Sequence, residues 1–266
     1  MDPIGFSGSG VVVTGGTRGI GAAIAHAFLA AGARVMVCGR HTPAWASSNG
    51  AWPESPVSDA MPEFFQADVR EPEQARALVA AAASRFGRLD VLVNNAGGAP
   101  FAAADTASPR FHAKVIELNL IAPLHVSQAA NAVMRDQPGG GVILMVGSVS
   151  GVRPSPGTAA YGAAKAGLHH LATSLAMEWA PKVRVNSLVA GPVATAAPDS
   201  NVDAAAVART VPLGRAATPA EVAAACLLLA SPLAGYVSGA ALAVHGGGEW
   251  PGYLADLWAT AYPAQK

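Results

Sequence analysis

A β-branched run, Val11-Val12-Val13, opens directly into Thr14-Gly15-Gly16-Thr17-Arg18-Gly19-Ile20-Gly21. An Ala-rich stretch over 22–31 follows, with Ile24, Phe28 and Leu29 spaced for one apolar face. The first segment reads as a buried strand and the third as a helix. Strand, glycine turn and helix in immediate succession is the setting of a dinucleotide-binding turn. Glycines let the backbone turn tightly and let a ligand approach without Cβ atoms in the way. The helix start then turns free N–H groups and a partial positive charge toward a pyrophosphate. The spacing here is G-x-x-x-G-x-G rather than G-x-G-x-x-G. An earlier cluster, Gly5-Phe6-Ser7-Gly8-Ser9-Gly10, precedes the strand with no helix after it, and reads as a lead-in.

The alternation continues along the chain. Further strands are expected at 34–38, 63–66, 91–93, 142–146, 184–188 and 240–244, and helices at 20–31, 73–86, 109–135, 159–180 and 219–230. Apolar strands alternating with helices imply a parallel sheet of about seven strands, covered on both faces. Right-handed crossovers make it an α/β doubly wound sheet with its ligand at the carboxyl ends of the strands. No repeat or linker divides 1–266, which reads as a single dinucleotide-binding and catalytic domain. Two stretches break the rhythm, 41–62 and 193–212, and a long loop inside a compact domain is often functional.

Tyr161 and Lys165 lie four apart in a predicted helix. Residues at i and i+4 share a helix face, with Cβ atoms about 5–6 Å apart. A neighbouring cation favours phenolate over phenol, so Lys165 is expected to lower the Tyr161 pKa from about 10. The hydroxyl could then act as a general acid or base near neutrality. Ser148, thirteen positions before Tyr161, ends a predicted strand, where side chains face the crevice. Its hydroxyl can stabilise charge developing on a substrate oxygen. Ser150 is the competing serine.

Together with Asp68-Val69, Asn94-Asn95-Ala96-Gly97, Asn119, Asn186 and Gly191-Pro192, these motifs make the chain similar, over nearly its whole length, to the short-chain dehydrogenase/reductase family. The resemblance implies a Rossmann-like fold and an NADP(H)-dependent oxidoreductase that interconverts a ketone and a secondary alcohol. It implies a catalytic set of Asn119, Ser148, Tyr161 and Lys165, with Tyr161 as acid in reduction and base in oxidation. Lys165 and Tyr161 would also meet the cofactor, Lys165 through the nicotinamide ribose. Asn119 would support a proton relay, or else serve as a helix-interior amide satisfying backbone groups. The implied cofactor cradle is Gly15, Thr17, Arg18, Gly19, Ile20, Gly21, Arg40, Asp68, Val69, Asn95, Ala96, Gly97, Gly191, Pro192 and Val193. Asp68 would meet the adenine amino group or form a capping turn before the next helix. The turn at 94–97 is expected to be both structural and cofactor-lining.

Charge argues the choice of cofactor. A carboxylate at the end of the second strand holds the ribose hydroxyls of NAD and repels the 2′-phosphate of NADP. Here that strand ends in Gly39-Arg40. Arg40 and Arg18 can both donate in a planar fork to a phosphate, which favours NADP(H) over NAD(H). The alternative is two solvated surface arginines.

Formal net charge is zero, which gives no reason to expect nucleic acid or an anionic membrane as a partner. Apolar runs fall short of the roughly 20 residues that span a bilayer, and the first ten residues lack the pattern of a signal peptide. Cys38 and Cys226 are isolated in apolar stretches, as buried thiols of a reducing cytoplasm would be. The seven histidines show no ligand spacing, so no metal site is expected. The substrate walls at 98–105, 152–158 and 193–212 are mostly small and apolar, with Phe101 the one large anchor. They suggest a largely apolar small-molecule carbonyl or alcohol; Arg153 would meet an anionic group or lie on the surface. A 3-oxoacyl thioester reductase and a steroid or cyclic-alcohol dehydrogenase both fit. A nucleotide-sugar epimerase-like isomerase and a non-catalytic NADP-binding regulator are the other classes. The resemblance implies a homotetramer or homodimer, pairing helices 109–135 and 159–180 on one axis and 219–230 with strand 240–244 on another. The aromatic tail 249–266 is expected at an interface or over a pocket. His245 stands where many relatives carry an aspartate.

Overall fold

The computed structural model describes residues 5–47, 61–195 and 203–261. Seven parallel strands form one sheet: β1 (Gly10–Thr14), β2 (Arg34–Gly39), β3 (Glu63–Gln66), β4 (Val91–Asn94), β5 (Gly141–Val146), β6 (Val183–Ala190) and β7 (Ala241–Val244). Their order is β3-β2-β1-β4-β5-β6-β7. The chain walks outward from β1 to β3, then returns to lay β4 against β1. Strand order therefore reverses between β1 and β4, where a doubly wound sheet opens a crevice at its carboxyl edge.

Side chains alternate across each strand, so one strand feeds two cores. Val11 and Val13 face one side and Val12 the other. On the first side, α1 (Gly19–Ala30) and α8 (Pro219–Ala230) pack together through Ile24, Phe28, Val222 and Cys226. The other side is covered by α3 (Pro72–Phe86), α5 (Ala122–Met134) and α6 (Ala159–Glu178), through Leu78, Val126, Met134 and Leu168. Both cysteines are buried in these cores. Burial pushes the Cys38 thiol up to about 11 and the Cys226 thiol up to about 12.

Local signals fix the helix ends. Pro72 opens α3, where its missing N–H is not needed, and Gly87, at φ 74°, closes it with its N–H on Ala83 O. Thr218 and Glu221 form a reciprocal capping box at the start of α8.

The structure departs from the expected elements in four places. The helix expected at 109–135 is interrupted: α4 (Pro109–Ile116) passes through a π turn (Glu117–Ile121) into α5. In an α-helix the carbonyl of Asn119 would take its hydrogen bond from residue 123, which is Pro123 and has no N–H. Within the stretch 41–62, a short helix α2 (Ala44–Ser47) forms. Beyond β6, α7 (Ala204–Thr210) is capped by Asp203, which accepts from Ala205 N and Ala206 N. The tail carries α9 (Gly252–Ala261), which packs on α7. Tyr253 stands 70% exposed there. Residues 196–202 of the expected substrate wall, and Tyr262 of the tail, lie outside the described residues.

Candidate active site

A cavity of about 1050 Å³ runs along the carboxyl edge of the sheet, from the turn after β1 to the start of α6. Gly15 and Gly19 in that turn adopt φ of +63° and +56°, which glycine reaches without strain. Gly21 is needed for a different reason. A Cβ there would lie 2.3 Å from Gly15 O and 2.4 Å from Asn95 Nδ2, so only glycine lets α1 approach the strand ends.

The switch point is stitched by side chains. Thr14 Oγ1 accepts from the backbone N–H groups of Asn95 and Ala96, each at 3.0 Å. Asn95 Nδ2 donates to Thr14 O at 3.0 Å and Gly15 O at 3.2 Å. Asn95, Ala96 and Gly97 therefore line the cavity and brace the glycine turn at once. The sequence placed Thr14 at the head of the glycine turn but gave its side chain no role.

At one end of the cavity stand Arg18, Arg40, Asp68, Val69 and Arg70. Arg18 and Arg40 are exposed, and neither has an ion-pair partner among the described residues. The Asp68 carboxylate accepts from the Arg70 backbone N–H at 3.1 Å and from Arg70 Nε at 2.9 Å. Chiefly through these bonds Arg70, with a smaller contribution from Arg40, holds the Asp68 carboxyl below its ordinary value. Asp68 forms a turn before α3, its carbonyl accepting from Glu71 N at 3.0 Å, while Glu71 occupies the cap position itself and the Asp68 carboxylate also pairs with the Arg70 guanidinium. Sequence reasoning missed Arg70, although the Asp-x-Arg spacing was in view.

At the other end the cavity meets Ser148, Ser150, Tyr161 and Lys165. Lys165 is 4% exposed, and its Nζ donates to Val146 O at 2.8 Å and lies 5.6 Å from the centre of the Tyr161 ring. Burial lowers the ammonium pKa to about 8. The expected lowering of the Tyr161 pKa by Lys165 is not what the structure holds. Burial raises the phenol, and the hydrogen bond with Ser148 offsets only part of that rise. The physical reason is that Lys165 sits in the same low-dielectric pocket, where its own charge is disfavoured. Ser148 rather than Ser150 partners Tyr161; the Ser148 hydroxyl also accepts from Ser150 N at 3.2 Å.

Residues 161, 165 and 169 continue one helix stripe. His169 turns Nδ1 to Ser187 Oγ at 3.0 Å and Nε2 to the Ser148 carbonyl at 3.3 Å. A carbonyl only accepts, so in neutral His169 the proton sits on Nε2 and Ser187 donates to Nδ1. The His169 pKa is lowered by burial first, then by the Lys165 charge, against the Ser148 hydrogen bond. The i+4 spacing from Lys165 was the signal that would have found this residue.

Asn119 is fully buried and does not line the cavity. Its Oδ1 accepts from Gly98 N, and its Nδ2 donates to Gly98 O and to Val115 O, all at 2.9 Å. The π turn delivers this amide to the loop after β4. Of the two sequence readings, the backbone-satisfying one matches these contacts. Its neighbourhood is still the site: a Cβ on Gly97 would lie 2.7 Å from Asn119 Oδ1 and 3.3 Å from Lys165 Nζ.

Gly191 and Val193 border the cavity, whereas Pro192 borders a separate one of about 270 Å³ beside β7. Asn186, in β6, bonds Val237 O and Ala240 N and serves the β6–β7 junction. Phe101 is 75% exposed and lies over Gly157, whose carbonyl accepts from Ala102 N at 2.8 Å. This contact joins two of the expected substrate walls. Arg153 is not free for an anionic substrate, because Glu249 neutralises it. His245 backs onto Gly191, and it lines the smaller cavity beside β7. Among the described residues no cluster of His, Cys, Asp and Glu could hold a metal, and no helix is long and apolar enough to cross a membrane.

The cavity suits an extended dinucleotide. Its glycine turn leaves backbone N–H groups at the start of α1 open, with only the Thr195 side chain, at 3.8 Å, near a Cβ built on Gly19. Guanidinium groups stand at one end and a buried hydroxyl–ammonium pair at the other.

Comparison with known proteins agrees. Residues 15–249 match a family model described as enoyl-(acyl carrier protein) reductase. The chain is 34% identical to a 3alpha-hydroxysteroid dehydrogenase of Mediterraneibacter gnavus, covering 88% of this chain and 94% of that one. It is 35% identical to a probable 2,4-dienoyl-CoA reductase of Bacillus subtilis, covering 90% and 96%. The crystal structure of a putative short-chain alcohol dehydrogenase from Sinorhizobium meliloti 1021 superposes with a TM-score of 0.84 at 29% identity, over 92% of this chain and 98% of that one.

Proposed function

The chain belongs to the short-chain dehydrogenase/reductase family, and we propose that it is an NADP(H)-dependent oxidoreductase interconverting a largely apolar ketone and its secondary alcohol. The observation that carries this reading is the single cavity joining Arg18 and Arg40 at one end to Ser148, Tyr161 and Lys165 at the other. The glycine turn and the start of α1 would hold the pyrophosphate, and Arg18 and Arg40 the 2′-phosphate. Lys165 would hold the ribose nearest the reacting ring. When bound, the cofactor supplies or takes the hydride; the protein supplies position and a proton.

Tyr161 is the proton donor in reduction. Its raised pKa keeps the phenol protonated at neutral pH, which suits an acid awaiting developing oxyanion charge. Ser148 donates a second hydrogen bond to the same oxygen, and His169 holds the Ser148 carbonyl behind it. Lys165, charged below about pH 8, favours the phenolate left after proton transfer. In oxidation the phenolate takes the alcohol proton back. Asn119 acts one step removed, by fixing Gly98 next to the Gly97 that lies against Lys165.

The relatives' names range from a hydroxysteroid dehydrogenase to a dienoyl-CoA reductase, so they leave the substrate open. An uncharged apolar ketone is favoured by the exposed Phe101 ring and by Arg153 being paired. A homotetramer is supported by exposed Leu228, Leu233 and Tyr236 near α8 and β7. On the other helix face, His112 Nδ1 and His125 Nδ1 are buried without a hydrogen-bond partner.

The test follows NADPH absorbance with a panel of apolar ketones, for wild type and Tyr161→Phe. Wild type should consume NADPH with at least one ketone, and the variant should bind NADPH normally yet turn over at least 100-fold more slowly, the lower bound of about 10² for general acid catalysis. Substantial turnover by Tyr161→Phe would dismiss it as the acid. Cofactor that is never consumed on net would favour an isomerase or a binding protein.

A further inference from the structure

Arg153 and Glu249 are 96 positions apart, yet their side chains meet as a fork: Nε to Oε2 at 2.6 Å and Nη2 to Oε1 at 2.8 Å. Arg153 also anchors its own loop, with Nη1 donating to Pro154 O at 2.8 Å. That loop is the short connection between Ser148 and the helix bearing Tyr161. It is stiffened by Ser155 Oγ on Ser150 Oγ at 3.1 Å and by the Ser155–Thr158 hydroxyl pair at 2.6 Å.

Glu249 begins the tail. Gly246, Gly247 and Gly248, all at positive φ (67°, 95° and 94°), carry the chain out of β7 against the end of α7. A Cβ on Gly246 would lie 2.7 Å from Val211, and one on Gly247 3.0 Å from Pro212. Leu213 N donates to Gly246 O at 3.1 Å, and Trp250 N donates to Thr210 O at 2.7 Å. Helix α9 then packs on α7. The tail and α7 thus form one flap, and α7 belongs to the stretch that leaves the cavity wall after Val193 and Thr195. Between this flap and the Ser148–Tyr161 loop the Arg153–Glu249 fork is a direct tie.

We propose that Arg153 and Glu249 are positioning residues for the substrate: their ion pair holds the α7–α9 flap against the loop that carries Ser148 and Ser150 to the start of α6, at the substrate end of the cavity. The inference rests on the ketone-reduction reading for its kinetic consequence, while the tie itself does not. The two side chains are 39% and 25% exposed, so the pair is partly screened and its effect is modest and salt-sensitive. Both residues lie away from the dinucleotide end, so cofactor affinity is not expected to move.

The experiment compares wild type with Glu249→Gln, Arg153→Gln and the charge swap Arg153→Glu/Glu249→Arg. Hydrogen exchange is read at the amides of α7 and α9, together with KM, kcat and NADPH affinity. Each single variant should speed exchange in both helices and raise KM roughly two- to fivefold, the range expected of a partly exposed pair. Its kcat and NADPH affinity should stay at wild-type values. The swap should restore both exchange and KM, and high salt should bring wild type toward the single variants. Unchanged exchange overturns the tie, and faster exchange with unchanged KM overturns its role in positioning substrate. Failure of the swap to rescue assigns the effect to packing and also overturns it. A wild type inert toward every ketone counts against the reduction reading, and the exchange data then decide the tie alone.

Discussion

Replacing Asn119 with Ala separates a structural clamp from a chemical participant. The amide makes three bonds of 2.9 Å, two to Gly98 and one to Val115 O, from a fully buried position. A typical intramolecular hydrogen bond contributes about 1 kcal/mol net, and a buried group left unpaired costs about 1–3 kcal/mol. Gly98 can recover water from the cavity side, whereas the interior of the π turn cannot. The expected destabilisation is therefore about 3 kcal/mol, or roughly 6–12 °C in melting temperature for a chain of this size. Asn119→Asp should fall nearly as far, since a carboxylate accepts from Gly98 N but donates to neither carbonyl. Thermal denaturation followed by circular dichroism measures the loss. Activity assayed well below the transition should survive in part, with weaker NADPH binding because Gly97 and Gly98 are no longer fixed. A variant that melts within about 1 °C of wild type yet has lost turnover would refute the clamp and make Asn119 part of the proton path.

Two further outcomes follow from the ends of the cavity. Arg40→Ala should weaken NADPH binding by roughly 10- to 150-fold, the worth of one charge-assisted phosphate contact, and leave NADH nearly untouched; equal losses in fluorescence titrations would end the case for NADP(H) preference. Lys165 has a folded pKa depressed from 10.5 to about 8, so in the folded state its charged form is disfavoured while the unfolded chain still binds the proton. Wild-type stability from this group therefore rises as pH climbs from 8 toward 10. Lys165→Met should accordingly be the more stable protein in urea titrations at pH 7, with an advantage that shrinks by about 1.4 kcal/mol per pH unit above 8. A gap independent of pH would mean that Lys165 is not buried as an ammonium.

What could be read from the sequence was what local chemistry decides. The β1–turn–α1 unit was legible because strand pattern, glycine spacing and helix pattern lie within one short stretch. Tyr161 and Lys165 were legible because helix geometry alone puts them on one face. Their proton affinities were not, since burial comes from chain segments far away and outweighed the pair's own charge. Asp68 was singled out from its place just after the third strand, but its engagement by Arg70 depended on a turn conformation that composition does not dictate. The break at Glu117–Ile121 had a signal, Pro123, that the strong helical pattern on either side masked. Glu249 and Arg153 had no local signal, because their meeting is purely tertiary.

The stitching of Thr14 to Asn95 and Ala96 has a kinetic side. These contacts join residues about 80 positions apart, and they close β4 onto β1 at the point where strand order reverses. The cavity at that point is walled by residues from both sides of the closure, the glycine turn 15–21 and the residues from Asn95 onward. Contacts this distant in sequence impose a loop-closure entropy that must be met before they stabilise anything. A dinucleotide is thus a late arrival during folding, with nothing to template until both halves have joined. It acts on the finished sheet by mass action, slowing the reopening of the β1–β4 seam without hastening its formation.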